Sequence, residues 1–374
     1  MVSCKPIREF RRIPGFSGTV TTDTPVPAFD ANRKTVAIIA HNMGTEIFDL
    51  VAPFYMFNLT EQANVYILAP EKKPIALAHG FFTMPHYTFR EFDSLALPAD
   101  IVVIPNLSAV PKDRQDPAIV QWIRDHYKDS TKLLSICAGS FTAAATGLYD
   151  QQPMTTHATD MKKNRELFPS PAWVTGTTYT RAGNLYSTAG VSNAADGSLA
   201  VIRDVFGEGT MKKVMEDIRY PHDSLVTRHE SRVVGTGNRR DILANVFFKK
   251  NPDVAVLLQD GIDEFRLSAV LDAYHRMFPS TLHTYSMRAE GVTGRFGMRI
   301  LPTNDLSSIA GTDEIHVLSP ATLTAAEKEV ISGITVVSYD PQSDRYIFDI
   351  ALDRIRTKYG NRMHTVVKRL LDYN

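Results

Sequence analysis

Cys137 is the residue whose type and setting most directly suggest chemistry. It follows the apolar run Leu133-Leu134-Ser135-Ile136 and precedes Ala138-Gly139-Ser140. Small residues after a strand let the chain turn sharply and let backbone N–H groups approach a ligand. A helix beginning just beyond the turn favours negative charge at its N-terminus. That predicts a thiol displaced toward thiolate, its reactive form, with oxyanion donors near Gly139. The plainer alternative is a buried, inert thiol. The only other cysteine is Cys4, so a disulfide or CxxC zinc framework is excluded by count.

The elements that must position this thiol alternate in type. Residues 35–40, 65–69, 101–104 and 133–136 are short runs apolar on both sides, the pattern of buried parallel strands. Between them, Gly44-Thr45-Glu46 opens a helix through Phe57, residues 117–127 carry a helical pattern, and a further helix spans 141–147. Trp173 to Thr180 and Leu185 to Thr188 read as hairpin strands about the turn Arg181-Ala182-Gly183-Asn184. Alternating strands and helices predict a parallel sheet with helices on both faces. Ligands of such folds lie at the carboxyl ends of the strands, where Cys137 falls. His41 and Asn42 end the first strand and are expected to line the same crevice. Gly44 and Thr45 are candidates to offer backbone N–H groups there.

The bulk composition narrows the classes. The chain has 374 residues, 44% hydrophobic and 22% charged, with 41 basic and 41 acidic side chains. Its length suggests two domains. Zero formal net charge argues against a nucleic-acid partner, and the basic cluster Lys162, Lys163 and Arg165 reads as a solvated helix face. No apolar run reaches the length of a membrane span. A cytoplasmic location is expected, with an exported or lipid-anchored protein as the alternative if Cys4 is a processed lipoprotein cysteine.

After Pro252 the chain starts again. Residues 253–258 echo 35–40, 264–267 echo 47–50, 314–320 echo 100–105, 334–338 echo 132–135, and 359–373 echo 206–220. Ordered echoes of this kind indicate an internal duplication. In this register Cys137 faces Asp340 and Asp49 faces Arg266, and the counterpart of about 141–190 is missing. The expected fold class is therefore α/β, a flavodoxin-like three-layer sandwich with a parallel sheet, duplicated, the second copy truncated. The expected organisation is an extended arm over 1–33, an elbow-bearing domain over 34–222, a linker with some helix over 223–251 and a degenerate copy over 252–374.

Cys137-Ala138-Gly139-Ser140, Ala145-Thr146-Gly147-Leu148, Thr155-Thr156-His157, Ser187-Thr188-Ala189-Gly190-Val191, Ala195-Asp196 and Asp49-Leu50-Val51-Ala52-Pro53 together resemble the ThiJ/PfpI family of the class I glutamine amidotransferase-like superfamily, over about residues 34–222. The resemblance implies that Cys137 is the nucleophile and that Asp49 hydrogen-bonds it or relays its proton. A carboxylate in that role needs a raised pKa. It also implies that His157 lies near the thiol as base or hydrogen-bond partner. Glu46, three residues before Asp49 on nearly the same helix face, is the rival acid. With His41, Gly44, Thr45 and Glu46, residues Ala138, Gly139 and Gly190 complete the expected substrate-binding set. Ala138 stands where many isonitrile-hydratase-like members carry Thr, which is closer to the deglycase-like and peptidase-like members. Regulators of the family continue into a helix-turn-helix domain, whereas this chain continues into its second copy.

Two functions follow as expectations. One is a cysteine-dependent hydrolase, hydratase or lyase acting on a small carbonyl or nitrile-like electrophile. The other is a binding or oxidant-sensing module using the same thiol. No cofactor or metal is expected, because neither a Walker-type loop nor HExxH occurs and Thr175-Gly176-Thr177 and Gly235-Thr236-Gly237 are lone glycine patterns. Domains of this kind pair, so the expected state is a homodimer or a monomer whose second copy takes the partner's place.

Overall fold

The computed structural model describes residues 5–18, 25–78, 80–248 and 250–374. Cys4 lies outside them. The chain divides into two compact units. The elbow unit takes 25–75, 85–233 and 371–374; the C-terminal unit takes the described residues of 1–24, 76–84 and 234–370.

In the elbow unit the apolar runs become β1 (Lys34–Ile39), β2 (Ala63–Ala69), β4 (Ile101–Ile104) and β5 (Lys132–Ser135), with β3 (Tyr87–Thr88) at one edge. The hairpin β6 (Tyr179–Ala182) and β7 (Leu185–Thr188) forms the other edge. Their order is β6-β7-β5-β4-β1-β2-β3, and every pair is parallel except β6 with β7. The helices include α1 (Ile47–Leu59), α2 (Pro117–His126), α3 (Ser140–Ala145), α4 (Met161–Leu167), α5 (Ala194–Phe206) and α6 (Glu208–Asp217). Period-two alternation sends successive strand residues to opposite faces. Thus Leu133 joins Ile119, Trp122, Ile123 and Ala143 on one face, while Leu134 meets Gly197 of α5 on the other. Both faces are covered, as the buried runs require.

Tyr149 bolts the elbow strand to its neighbour. Its fully buried hydroxyl reaches the carbonyls of Tyr186 (2.8 Å) and Leu133 (3.2 Å). Tyr149→Phe is expected to cost about 1–2 kcal/mol by orphaning buried acceptors. Faster amide exchange in β5 and β7 would register it; unchanged protection would contradict it.

The C-terminal unit carries β8 (Asp253–Leu257), β9 (Thr281–Ser286), β10 (Asn304–Asp305), β11 (Glu314–Val317) and β12 (Thr335–Ser338), all parallel in the order β10-β9-β8-β11-β12. This is the strand order of β3-β2-β1-β4-β5. Its helices include α7 (Glu264–His275), α8 (Ala325–Val330), α9 (Ile347–Tyr359) and α10 (Asn361–Leu371). Local details repeat. Glu46 accepts from Asp49 N as Asp263 accepts from Arg266 N, both at 2.8 Å. Ile136 N donates to Ile104 O at 3.0 Å as Tyr339 N donates to Val317 O at 3.1 Å. Gly207 (φ 91°, ψ 162°) and Gly360 (φ 88°, ψ 165°) break the helix at matching places. The matching strand order and hydrogen bonds are consistent with a register that sets Cys137 against Asp340 and Asp49 against Arg266. Arg266 Nη2 donates to the backbone O of Asp340 at 2.8 Å, so the side chain at one of these two positions ties down the backbone of the other. Among the described residues, nothing after β12 corresponds to β6 and β7.

Three stretches depart from expectation. Within the 1–33 segment, Lys5–Phe10 is a helix: Lys5 pairs with Asp253 at 3.1 Å and Phe10 stacks on Phe278 with ring centroids 4.3 Å apart. Within 223–251, the expected helix is Thr236–Phe248, and it belongs to the C-terminal unit rather than to a linker. The expected strand from Trp173 to Thr180 is two separate pieces, Ala172–Trp173 and β6, because Gly176 turns at φ +79° between them; the hairpin turn is only Gly183-Asn184.

Candidate active site

The turn after β5 is held by residues from distant parts of the elbow unit. Cys137 has φ +54°, a left-handed conformation costing a side-chain-bearing residue about 1–2 kcal/mol. Its N–H donates to Thr188 Oγ1 at the end of β7 (3.3 Å), and its carbonyl accepts from Thr156 Oγ1 (3.1 Å). Thr156 is itself gripped by Ser140 Oγ at 2.7 Å and Asn164 Nδ2 at 3.3 Å. Gly139 is required by close approach. A Cβ there would collide with Ile104 O and lie 2.8 Å from Pro105 O.

Two acids lie at the start of α1, across the carboxyl end of β4. Asp49 is fully buried, and its Oδ2 accepts from Asn106 N at 3.1 Å. Glu46, 6% exposed, caps α1 by accepting from Asp49 N, and its own N–H donates to Asn106 O at 2.8 Å. The Asn106 peptide thereby fixes both acids relative to the strand that Gly139 packs against.

The electrostatics reverse one expectation. Burial first, then the charges of Asp49, Glu46 and Asp160, push the Cys137 thiol well above the ordinary thiol range. The Ala138 backbone hydrogen bond opposes this. The helix-terminus argument predicted a lowered thiol, but α3 is only six residues long. Full burial beside buried carboxylates outweighs so short a dipole. The resting form is the neutral thiol.

The other expected residues divide by what their polar groups already do. The Gly139 N–H is spent on Ile136 O (2.8 Å), so it is not an oxyanion donor, and the Gly44 N–H is spent on His41 O (3.1 Å). Thr45 Oγ1 closes the same turn, accepting from His41 N at 2.9 Å. His41 is held in its neutral form mainly by burial, opposed by Asp116, whose Oδ2 lies 3.9 Å from its Nε2. Gly190 packs against the chain's end: a Cβ there would collide with Asp372, whose Oδ1 lies 2.9 Å from buried His229 Nε2. His157 is buried, and its Nδ1 accepts from Thr159 N at 3.2 Å beside Thr159 Oγ1 at 2.7 Å. Asp196 is held by Tyr220 and by Asn193 Nδ2 at 3.0 Å. The sequence reading missed the roles of Thr156, Thr188, Asn106 and Asp160. Thr156 and Thr188 lay inside motifs already singled out. Asp160, three residues past His157, is tied to Lys112.

A cavity of about 510 Å³ borders Thr156, with Lys162 and Arg165 among its lining residues. Among the described residues, no group of three or more His, Cys, Asp or Glu is placed to hold a metal ion, and no helix is long and apolar enough to cross a membrane.

The sequence model described as the DJ-1/PfpI family matches residues 34–204. The isonitrile hydratase of Pseudomonas putida is 24% identical over 182 residues, covering 47% of this chain and 76% of that protein. An HTH-type transcriptional regulator of Mycobacterium tuberculosis is 30% identical over 56 residues, 15% of this chain and 22% of that protein. Among solved structures, a ThiJ/PfpI family protein from Pseudomonas syringae aligns with 19% identity and a TM-score of 0.47, over 60% of this chain and 94% of that one. Schizosaccharomyces pombe DJ-1 aligns with 18% identity and a TM-score of 0.41, over 48% and 96%. With a strand-end cysteine on a left-handed turn, an acid pair at the first helix and a matching family model, residues 34–204 are a DJ-1/PfpI family domain.

Proposed function

We propose that the elbow unit is a cysteine-dependent enzyme of the hydrolase, hydratase or lyase type, acting on a small carbonyl or nitrile-like carbon. The observation that carries this is Cys137 itself, held on a strained turn by Thr188 and Thr156 with its sulfur in the field of Asp49 and Glu46. Strain of this kind persists only where the surroundings over-determine it, and it clusters at functional sites.

The neutral thiol sets the order of events. As the sulfur forms a bond to the electrophilic carbon, its proton passes to Asp49, which acts as general base. On a nitrile the π pair moves onto nitrogen, which takes that proton, and on an isonitrile the attacked carbon takes it. Either way a thioimidate forms, water adds to its C=N carbon, nitrogen takes a proton, the carbon–sulfur bond breaks to leave an amide, and a proton returns to sulfur. On the aldehyde carbon of a 2-oxoaldehyde the oxygen takes the proton. The C–H proton of that hemithioacetal then passes through Asp49 to the neighbouring carbonyl carbon while the hydroxyl proton passes to that carbonyl's oxygen, and water hydrolyses the resulting thioester to a 2-hydroxy acid and the free thiol. Glu46 fixes the first turn of α1 and so orients Asp49 toward the thiol. The similarity to an isonitrile hydratase makes an isonitrile carbon one member of the substrate class. Ala138, which lacks a hydroxyl to hold water, favours a carbonyl carbon. The sensing role draws less support, since a buried neutral thiol offers oxidants little thiolate.

The test is a panel of small 2-oxoaldehydes, nitriles and isonitriles followed by NMR, with Cys137→Ser alongside. Turnover of at least one class is expected, and it should fall by about a thousandfold or more in the variant. Equal turnover by both proteins would overturn the proposal.

A further inference from the structure

The C-terminal unit keeps a crevice at the carboxyl ends of β8, β9 and β11, where the elbow unit keeps its own. Leu258 N donates to Tyr285 O at 2.8 Å as Ala40 N donates to Leu68 O at 2.8 Å. This sets Gln259 in the place of His41 and Asp260 in the place of Asn42. The side chain of Asn42 staples the chain at Glu71 (3.0 Å) and Lys73 (2.8 Å), and Asp260 likewise holds Arg288. Here, however, the space remains open: a cavity of about 360 Å³ lies between these loops and the start of α8. That is the low end of the range for small-molecule sites.

Its lining is specific. Gln259 is 7% exposed, lines the cavity, and its Oε1 has no hydrogen-bond partner among the described residues. A buried amide oxygen left unmet costs free energy that a donor on a ligand would recover. Two carboxylates flank it. Asp260 is paired with Arg288, while Glu327, also 7% exposed, accepts from Thr324 N at 2.8 Å. Two acids against one base leave the lining one negative charge in excess. Leu258 and Val292 are buried and give it an apolar wall.

We propose that this crevice binds a small organic ammonium or guanidinium ion with a short apolar body. The N–H groups would meet Gln259 Oε1, the charge would offset the acidic excess, and the body would lie on Leu258 and Val292. The site is separate from the chemistry at Cys137.

Calorimetric titration of the full chain with n-butylammonium and n-butylguanidinium chloride, and with neutral n-butanol, tests this. Saturable binding of at least one cation is expected, with n-butanol markedly weaker. Gln259→Leu should weaken binding by about tenfold through loss of one charge-assisted hydrogen bond. Gln259→Glu, nearly the same shape with an added charge, should tighten it, which a merely structural glutamine would not do. Gln259→Glu decides the matter if the leucine variant fails to fold. Prior alkylation of Cys137 should leave the titration unchanged. Absence of saturable binding, equal binding of n-butanol, insensitivity to the glutamate variant, or loss of binding on alkylating Cys137 would each overturn the proposal.

Discussion

Asp49→Asn is expected to move two rates in opposite directions. Alkylation of Cys137 at neutral pH should become faster, on the order of tenfold, because a like charge that resists thiolate formation has been removed. Turnover should become slower by about a hundredfold or more, because the group that takes the proton from sulfur is gone. The substitution is close to isosteric, and the amide oxygen can still accept from Asn106 N, as Asp49 Oδ2 does at 3.1 Å. Loosened packing would also expose Cys137, so the thermal midpoint is read alongside, and a midpoint unchanged from the parent assigns the crossing to the lost charge. Burial and carboxylate charge hold the thiol well above its ordinary range. The alkylation rate of the unsubstituted chain should therefore still be climbing with pH where a free cysteine, of pKa about 8.5, has levelled off. In Asp49→Asn the whole curve moves to lower pH. Glu46→Gln should shift it the same way and less far, since Glu46 contributes after Asp49.

Gly139→Ala should be the most damaging single methyl group in the elbow unit. The new Cβ would meet the backbone carbonyl of Ile104 and would lie 2.8 Å from Pro105 O. Backbone of a central strand cannot swing aside as a side-chain tip can. A cost of about 3 kcal/mol or more is expected, with loss of the φ +54° turn at Cys137. Gly209→Ala is the matched control. It lies in α6 with nothing within 4 Å of its added Cβ, and it should be neutral or slightly stabilising because alanine is the better helix former. Thermal unfolding of both variants decides the point: a Gly139→Ala midpoint within about 2 °C of the parent would contradict the packing account.

What the sequence makes legible, and what it does not, divides along physical lines. The strands were readable because a sheet covered on both faces buries every residue of a run such as Val36 to Ile39. The elbow was readable because an apolar run ending in Cys-Ala-Gly-Ser is a local pattern. The ordered echoes of the second half were readable, and a like strand order and paired breaks at Gly207 and Gly360 accompany them. The thiol's electrostatics were not readable. The dipole argument uses neighbours in sequence, whereas Asp49 and Glu46 reach Cys137 only through the tertiary fold. The same reason hid Thr188 and Thr156, whose hydroxyls matter because β7 pairs with β5 and residue 156 passes behind the turn. Gly190 looked like a site glycine from its motif. Its constraint comes from Asp372, far along the chain.

The most direct test is the pH dependence of Cys137 alkylation in the full chain, followed by peptide mass spectrometry, alone and with Asp49→Asn. The account predicts an inflection well above the pH at which free cysteine titrates, moving down when Asp49 loses its charge. An inflection at or below about 8.5, the value for an unperturbed thiol, or one that Asp49→Asn leaves in place, would contradict it.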